Sequence, residues 1–559
     1  MAAVFGAGGS TGSYAEVEET DVVLLWGSNA RNAHPIWFHH LLKGIRNHGT
    51  RLYVIDPRRS ESAQWADAWL GNHVGSDIAL ANAMGREIIH AGLCSRDFIA
   101  NACSGFEEYA KGVEEYTLER GEELTGVPAD VIRECAHAYA RAEKAMICWT
   151  LGITQHHDAT EAVFALINLC LLTGHIGKWG SGLNPLRGQN NVQGGGDMGA
   201  IPNRLPGFQQ ITDPAVRERF EKHWGVKLQP NVGWNLTEML DAMDRGKLTS
   251  LFVIGENPAH SDADANHVEH VLAKLDHLVV QEIYMTRTAE LAHVVLPTVA
   301  SWCEATGTVT NSERRVQLCR KAIEPPEGTR DELWIINEIG TRLGKDLGAT
   351  GPEAMWNELR VLAPHMYEGM TYERLARYDG LQWPCPSADH PGTVFLHDRL
   401  WKKGAERGPA APFNVVHHEG PVEKPDAEYP FTLTTGRHLD AYNTGIQTSG
   451  YSSPMTRGET LDISPEDADR IGITSGIRVR VASRRGSVVV PARIDEGLRP
   501  GVVFMTLHYP DDAVTNMLTI NASDLAAGTA EFKACAVSVE PETSVSPARS
   551  ALGAMPASA

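Results

Sequence analysis

The sequence predicts an α/β protein: two interleaved αβα three-layer domains on parallel sheets, followed by a small closed β-barrel. Two observations carry this. Asp21–Asn29 and Ser250–Asn257 each read as a buried apolar strand ending in Gly-x-Asn. Each is followed by a helical stretch and a second apolar strand, Arg51–Asp56 and His277–Glu282, that ends in an acid. The spacing from glycine to acid is 29 residues in one copy and 27 in the other. Strand, helix and strand in this order make a βαβ unit of a parallel sheet, used here twice. The second observation is a change of texture at Tyr429, where short β-runs broken by Gly and Pro begin. Many short strands in a small segment suggest a closed barrel.

Composition narrows the function classes. The 559 residues are enough for three or four domains, and 42% hydrophobic with 21% charged residues is a globular balance. A net charge of -20 argues against nucleic acid and anionic membrane as partners, because both require a basic face. No apolar run is long enough to span a bilayer, so no membrane insertion is expected. No Lys or Arg precedes Arg31, so no secretory leader is read and the expected location is cytoplasmic. The nine cysteines show no CxxC or iron–sulfur spacing and read as reduced, buried thiols. Histidine pairs occur at His39–His40, His156–His157 and His417–His418. Neighbouring histidines are expected to diverge and chelate poorly, so no metal ligand is assigned.

The elements follow in order. Gly6–Gly12 is Gly-rich but has no preceding strand and no P-loop lysine. Neither βαβ unit carries GxGxxG, which argues against an ordinary NAD site. Ligands of such sheets sit at the carboxyl ends of the strands, where Asp56 and Glu282 could accept from a ribose hydroxyl or a guanine edge. Asp158–Thr173 is apolar nearly all round and stops at Gly174, which reads as a buried helix with a glycine C-cap. Next comes Asn184-Pro-Leu-Arg-Gly-Gln-Asn-Asn-Val-Gln-Gly194, continuing through Gly199. Its glycines permit close backbone approach, its amides read a heterocycle edge, and its one arginine, Arg187, can fork onto a small carboxylate. Ala292–Pro297 reads as a further strand. Trp302–Gln317 reads either as a ligand loop or as a charged surface turn. Residues 346–428 read as a helical and irregular connector. In the barrel segment, Ile477–Ala482, Ser487–Ile494 and Val502–Leu507 read as strands, and Ser464 as the N-cap of a small helix. The expected divisions are 1–187, 188–345, 346–428, 429–541 and a disordered tail, 542–559.

Leu172-Thr-Gly-His-Ile-Gly-Lys178 followed by the amide-rich run resembles the signature of molybdenum-dependent formate dehydrogenases, within the molybdopterin oxidoreductases. The resemblance covers about Phe5 to Glu540. It implies a double-psi barrel at the C-terminus and a bis(molybdopterin guanine dinucleotide) cofactor with Mo or W. It implies that Arg187 holds formate during oxidation to CO2. It further places Gly27, Ser28, Asn29, Asp56, Arg58, Asp77 and Gly152 against one dinucleotide. Gln189, Asn190, Gly255, Asn257, Gln281, Glu282, Thr286, Asn311 and Arg314 are implied as further cofactor residues. In the barrel, Arg437, His438, Tyr442, Asn443, His508, Asn516 and Lys533 fall at positions the family uses.

The family's Cys or selenocysteine metal ligand and its [4Fe–4S] segment have no counterpart in this sequence. The resemblance therefore implies a chain lacking that N-terminal region, with no protein ligand to the metal, and inactive by itself. An iron–sulfur subunit linked to NAD or ferredoxin is the implied partner. Two alternatives stay open: a non-catalytic scaffold or electron-transfer subunit of the same fold, and another molybdopterin oxidoreductase such as a nitrate reductase.

Overall fold

The computed structural model describes residues 1–301, 303–348, 351–377, 379–439, 441–444, 457–510 and 512–542. Trp302 and the tail from 543 onward, expected to be disordered, lie outside the described residues.

The first βαβ unit nucleates a five-stranded parallel sheet. Its strands are β1 (Val22–Trp26), β2 (Arg51–Ile55), β3 (Ala68–Leu70), β4 (Ala145–Trp149) and β5 (Gly182–Pro185), in the order β3-β2-β1-β4-β5. Both β1 and β4 are buried at every residue, as expected of parallel strands covered on both faces. One face packs on α1 (Asp77–His90), α2 (Ala129–Arg141) and α3 (Ala159–Thr173). The other packs on the helix Pro35–Lys43 through Trp37, Phe38 and Leu41. The apolar run before the amide-rich loop is α3, and Gly174 caps it in the left-handed conformation at φ 67°.

The amide-rich loop differs from a simple loop. It leaves the carboxyl end of β5 and winds into a short helix, α4 (Val192–Asp197), despite three consecutive glycines. Gln193 and Asp197 are buried and bonded to each other, and this ties the turn down.

The second unit gives a three-stranded parallel sheet, with β6 (Ser250–Ile254), β7 (His277–Glu282) and β8 (Val294–Pro297) in the order β8-β7-β6. Helices α5 (Leu236–Asp244) and α6 (Ala265–Leu272) cover one face, with Leu240, Val268 and Val271 packed on Val253, Leu278 and Val280.

Residues 303–319 are more than a surface turn. They include a hairpin, β9 (Gly307–Thr310) with β10 (Arg315–Cys319), whose turn residues Ser312, Glu313 and Arg314 are buried. The expected connector is also more than a connector. Leu381–Gln382, β11, joins the hairpin, and Ala411–Pro412 pairs with Cys103–Ser104 on the first domain. α7 (Pro352–Leu362) packs into the same small core as the hairpin.

The last segment is a closed six-stranded barrel. Its strands are β12 (Phe431–Gly436), β13 (Leu461–Ile463), β14 (Arg478–Ala482), β15 (Ser487–Ile494), β16 (Val502–Thr506) and β17 (Cys535–Pro541). The order is β12-β16-β13-β15-β14-β17. The β12–β16 and β13–β15 pairs are parallel and the others antiparallel. Ser464 caps the small helix, accepting from the Asp467 amide.

Candidate functional site

A cleft of about 480 Å³ opens at the carboxyl ends of the first sheet, under the barrel. It lies beside β1, whose neighbours β2 and β4 lead in opposite directions, and such a switch point is where open α/β sheets bind ligands. The sheet contributes Gly27, Asn29, Asp56, Arg58 and Gly152, and the barrel contributes Thr435, Arg437, His508 and Lys533. Asp77, Gln189 and Tyr442 also reach it, as does Gly255 from the second sheet.

Gly27 makes the opening possible. It takes φ +55°, donates to Ile55 O at 2.8 Å, and accepts from Gly152 N and Thr150 Oγ1. A Cβ on Gly152 would stand 2.5 Å from the Gly27 Cα, so two backbones touch where only glycines fit. The matching Gly255 has φ +62° but open space around it.

The asparagines of the two Gly-x-Asn motifs share a local task. Asn29 Oδ1 accepts from Ser62 N and Oγ, and Asn257 Oδ1 accepts from Thr288 N and Oγ1. Each ties its own loop to the one that follows the second strand. Asn29 stays on the cleft wall, whereas Asn257 does not line it.

Charge is concentrated on one wall. The Arg58 guanidinium lies 3.8 Å over the Phe504 ring, and its backbone amide donates to Asp56 Oδ1 at 2.9 Å. Lys533 Nζ donates to Thr435 O at 2.8 Å, and burial pulls its ammonium down to about 8 despite the nearby Asp56. Burial raises the Asp56 carboxyl, opposed by Arg58 and Lys533. Asp77 accepts from Trp26 Nε1 and Asn72 Nδ2, and burial raises it to about 6. His508 accepts from His438 N through Nε2, so its Nδ1 carries the proton given to Asn443 O.

Several expected site residues are placed elsewhere. Arg314 is fully buried, and its side chain donates to the carbonyls of Ser10, Trp383, Thr393 and Val394. Four of its five N–H groups are thus spent inside the protein, which removes it from ligand binding. Asn311 caps the hairpin turn, accepting from the Glu313 and Arg315 amides. Thr286 caps a short helix, accepting from Ala289 N. Asn516 clamps barrel to second domain by donating to His260 O and Ser261 O. Asn190, His438, Ser28, Gln281 and Glu282 do not line the cleft. Glu282 accepts from Ile283 N, and burial, with the nearby Glu282 charge, raises the carboxyl of Glu256, a cleft residue.

Arg187 is held just behind the wall that its neighbours Leu186, Gly188 and Gln189 form. Its carbonyl accepts from His34 Nε2, its Nε donates to Gln193 Oε1 at 2.8 Å, and one Nη donates to Gly8 O at 2.8 Å. Gln193 passes the contact on to Asp197 Oδ1, which burial raises to about 6. The fork expected to meet a carboxylate is therefore partly engaged by its own loop.

Other wall residues carried no signal in the sequence: His34, Glu256, Thr434 and Phe532; His156, noted there only as one of a pair, also lines the cleft. His156 and His157 were expected to diverge, yet both reach Glu531 Oε1, at 3.3 and 3.1 Å. The chain turns sharply before α3, so neither helix nor strand periodicity applies to the pair. No cluster of three or more His, Cys, Asp or Glu suited to a metal is found among the described residues.

The residues present fit an anionic dinucleotide. Two arginines and a lysine line a glycine-floored cleft together with Asp56.

Comparison with known proteins agrees with this geometry. Residues 4–342 match the molybdopterin oxidoreductase family model, and residues 431–536 match the molydopterin dinucleotide binding domain. The chain is 41% identical over 544 residues to an F420-dependent formate dehydrogenase subunit alpha of Methanocaldococcus jannaschii, covering 97% of this chain and 79% of that one. It is 38% identical over 542 residues to formate dehydrogenase H of Escherichia coli, covering 96% and 75%. Acetylene hydratase from Pelobacter acetylenicus has the same fold, with a TM-score of 0.75 at 22% identity over 97% of this chain and 80% of that one. The cleft, the barrel and these matches together place the chain in the molybdopterin oxidoreductase family, as an oxidoreductase whose relatives are formate dehydrogenase alpha subunits.

Proposed function

We propose that this chain is the cofactor-binding body of a formate-oxidising molybdopterin enzyme. The observation that carries the reading is Arg187, anchored in a buried network at the rim of the cationic cleft. When bound, the molybdenum cofactor supplies a two-electron acceptor, and formate would give CO2, a proton and two electrons. The protein positions and screens. Arg58, Arg437 and Lys533 would neutralise the diphosphate of one dinucleotide, and Asp56 would accept from its sugar or base. Glu282, beside Glu256, would serve the second dinucleotide. Arg187 would turn its free guanidinium edge toward formate, because arginine stays charged and binds a carboxylate with two bonds.

The electrons would pass to an iron–sulfur centre outside this sequence, on a subunit linked to NAD or ferredoxin. The test is formate-dependent dye reduction by cofactor-loaded enzyme, compared with Arg187→Lys at equal molybdenum and pterin content. Loss of most activity in the variant supports the reading, and unchanged kcat/KM for formate overturns it. The alternative reading is a non-catalytic scaffold of the same fold. A purified chain free of guanine nucleotide and molybdenum would decide for the scaffold.

A further inference from the structure

Arg187 is gripped on one edge. Its Nε donates to Gln193 Oε1 at 2.8 Å and its Nη2 to Gly8 O at 2.8 Å, while Nη1 has no hydrogen bond among the described residues. Behind Gln193 the contacts continue. Gln193 Nε2 donates to Asp197 Oδ1 at 2.8 Å, and Trp383 Nε1 donates to Asp197 Oδ2 at 2.8 Å. Gln193 and Asp197 stand four residues apart on one face of α4, and they are 3% and 1% exposed. Trp383, next to β11, is buried in the small core of the hairpin. The other acceptor, Gly8 O, is backed by Phe208. The Phe208 ring would lie 2.9 Å from a Cβ on Gly8, and the Phe208 amide donates to Asp197 O.

The polarity of this row is fixed at both ends. An arginine Nε and an indole Nε1 can only donate, and a carboxylate can only accept. Burial raises Asp197 to about 6, against its bonds from Gln193 and Trp383 and the charge of Arg187, so it is ionised at neutral pH. The Gln193 amide then has one orientation that satisfies every partner, with its NH2 toward Asp197 and its carbonyl toward Arg187. An asparagine at 197 would break this arrangement while keeping its shape. If its oxygen serves Trp383, its NH2 faces Gln193 and turns that amide round, which sets Nε2 against the Arg187 Nε. If its oxygen serves Gln193, its NH2 meets the Trp383 donor. Two buried donors collide in either case, and a buried donor left unmatched is costly.

We propose that Asp197 is the positioning residue of the substrate arginine: it sets the Gln193 amide, the amide holds the inner edge of Arg187, and the Nη1 end is left free for a carboxylate. The inference rests on the reading of Arg187 as the formate ligand and adds what keeps that guanidinium in one orientation. An arginine free to turn must be ordered by its ligand at the expense of affinity, whereas a locked one is preorganised. Asp197 acts through Gln193 and does not itself line the cleft.

The test is a swap of polarity. Asp197→Asn should break the lock, and Gln193→Glu combined with Asp197→Asn should restore it. A glutamate at 193 accepts from both Arg187 Nε and the new amide, whose oxygen still accepts from Trp383. The first reading is the exchange with water of the Arg187 Nε–H, followed by NMR on chain carrying isotope-labelled arginine and identified by its absence from Arg187→Lys. The second is kcat/KM for formate in cofactor-loaded enzyme at equal molybdenum and pterin content. In Asp197→Asn, exchange should be about ten-fold faster or more and kcat/KM about ten-fold lower or more. In the double variant both should return to within about three-fold of the parent. Parental exchange in Asp197→Asn overturns the inference, as does parental kcat/KM there while Arg187→Lys is impaired. A double variant as impaired as the single one also overturns it, leaving Asp197 a packing residue. If Asp197→Asn does not fold, Gln193→Met removes the same acceptor and is read in its place, with faster exchange supporting the lock and parental exchange refuting it. Unchanged kcat/KM in Arg187→Lys would instead sink the formate reading, and the exchange rates would still decide whether Asp197 orients Arg187.

Discussion

Replacing Arg314 by lysine separates a structural role from ligand binding. Its side chain is fully buried and donates to Ser10 O at 2.7 Å, Thr393 O at 2.9 Å, Val394 O at 2.7 Å and Trp383 O. These bonds fasten the Gly-rich loop, the hairpin turn and the 383–394 stretch to one another. Burial draws the guanidinium down to about 10, so it is still charged at neutral pH. Lysine keeps the charge but replaces a planar fork with one ammonium. That ammonium can reach one or two of the carbonyls, leaving at least two buried without a donor. At about 1–3 kcal/mol for each unsatisfied group, the change should cost about 3–5 kcal/mol. For a protein of this size that corresponds to a fall in Tm on the order of 5 °C. The assay is thermal unfolding by circular dichroism, with guanine nucleotide content measured on the same preparation. Tm should fall while nucleotide per folded chain is unchanged. A variant with parental Tm that has lost nucleotide would refute the assignment and return Arg314 to the ligand-binding set.

Three further outcomes follow from the same structure. Arg187→Lys in loaded enzyme should lower formate kcat/KM by roughly 30- to 1000-fold, since a bidentate charged contact is worth about 2–4 kcal/mol, while cofactor content holds; steady-state kinetics would expose an error by showing no change. Gly152→Ala should open the β1–β4 junction, because its Cβ would meet the Gly27 Cα at 2.5 Å; crowding of this kind costs about 1–3 kcal/mol, and a parental urea midpoint would contradict it. Burial raises Glu459 to about 8, Glu16 to about 7 and Asp262 to about 7. Below these values the folded chain holds protons that the unfolded chain has already lost, so the stability they contribute is present at low pH and drains away as pH rises through 7 to 8. The urea midpoint should be lower at pH 8 than at pH 6.5, and Glu459→Gln should flatten the slope; a midpoint rising over that window would count against the burial of these groups.

The sequence carried the fold further than it carried the site. Both βαβ units, the glycine cap of α3 and the barrel strand Ser487–Ile494 were legible because each rests on local periodicity or on one residue with a strong backbone preference. The amide-rich run was legible as special, but its helical turn was not, since three glycines oppose a helix that buried Gln193 and Asp197 restore. Site residues near the strand ends, such as Gly27, Asp56 and Arg58, reached the cleft because the topology puts them there. Those assigned from the hairpin and the short helices did not. Asn311, Thr286 and Arg314 are polar residues in irregular backbone, and such segments consume polar side chains to satisfy their own amides and carbonyls. The place of His34 and His156 on the cleft wall was missed because nothing in a linear pattern reports which histidine a distant barrel will cover.

The most direct test of the central claim is the guanine nucleotide released by acid from purified chain, measured for the parent and for Asp56→Ala. The account predicts about two guanine nucleotides per parent chain, one for each βαβ unit, and a clear loss in the variant without loss of fold. A parent chain that folds, retains its cleft and releases no guanine nucleotide would contradict it.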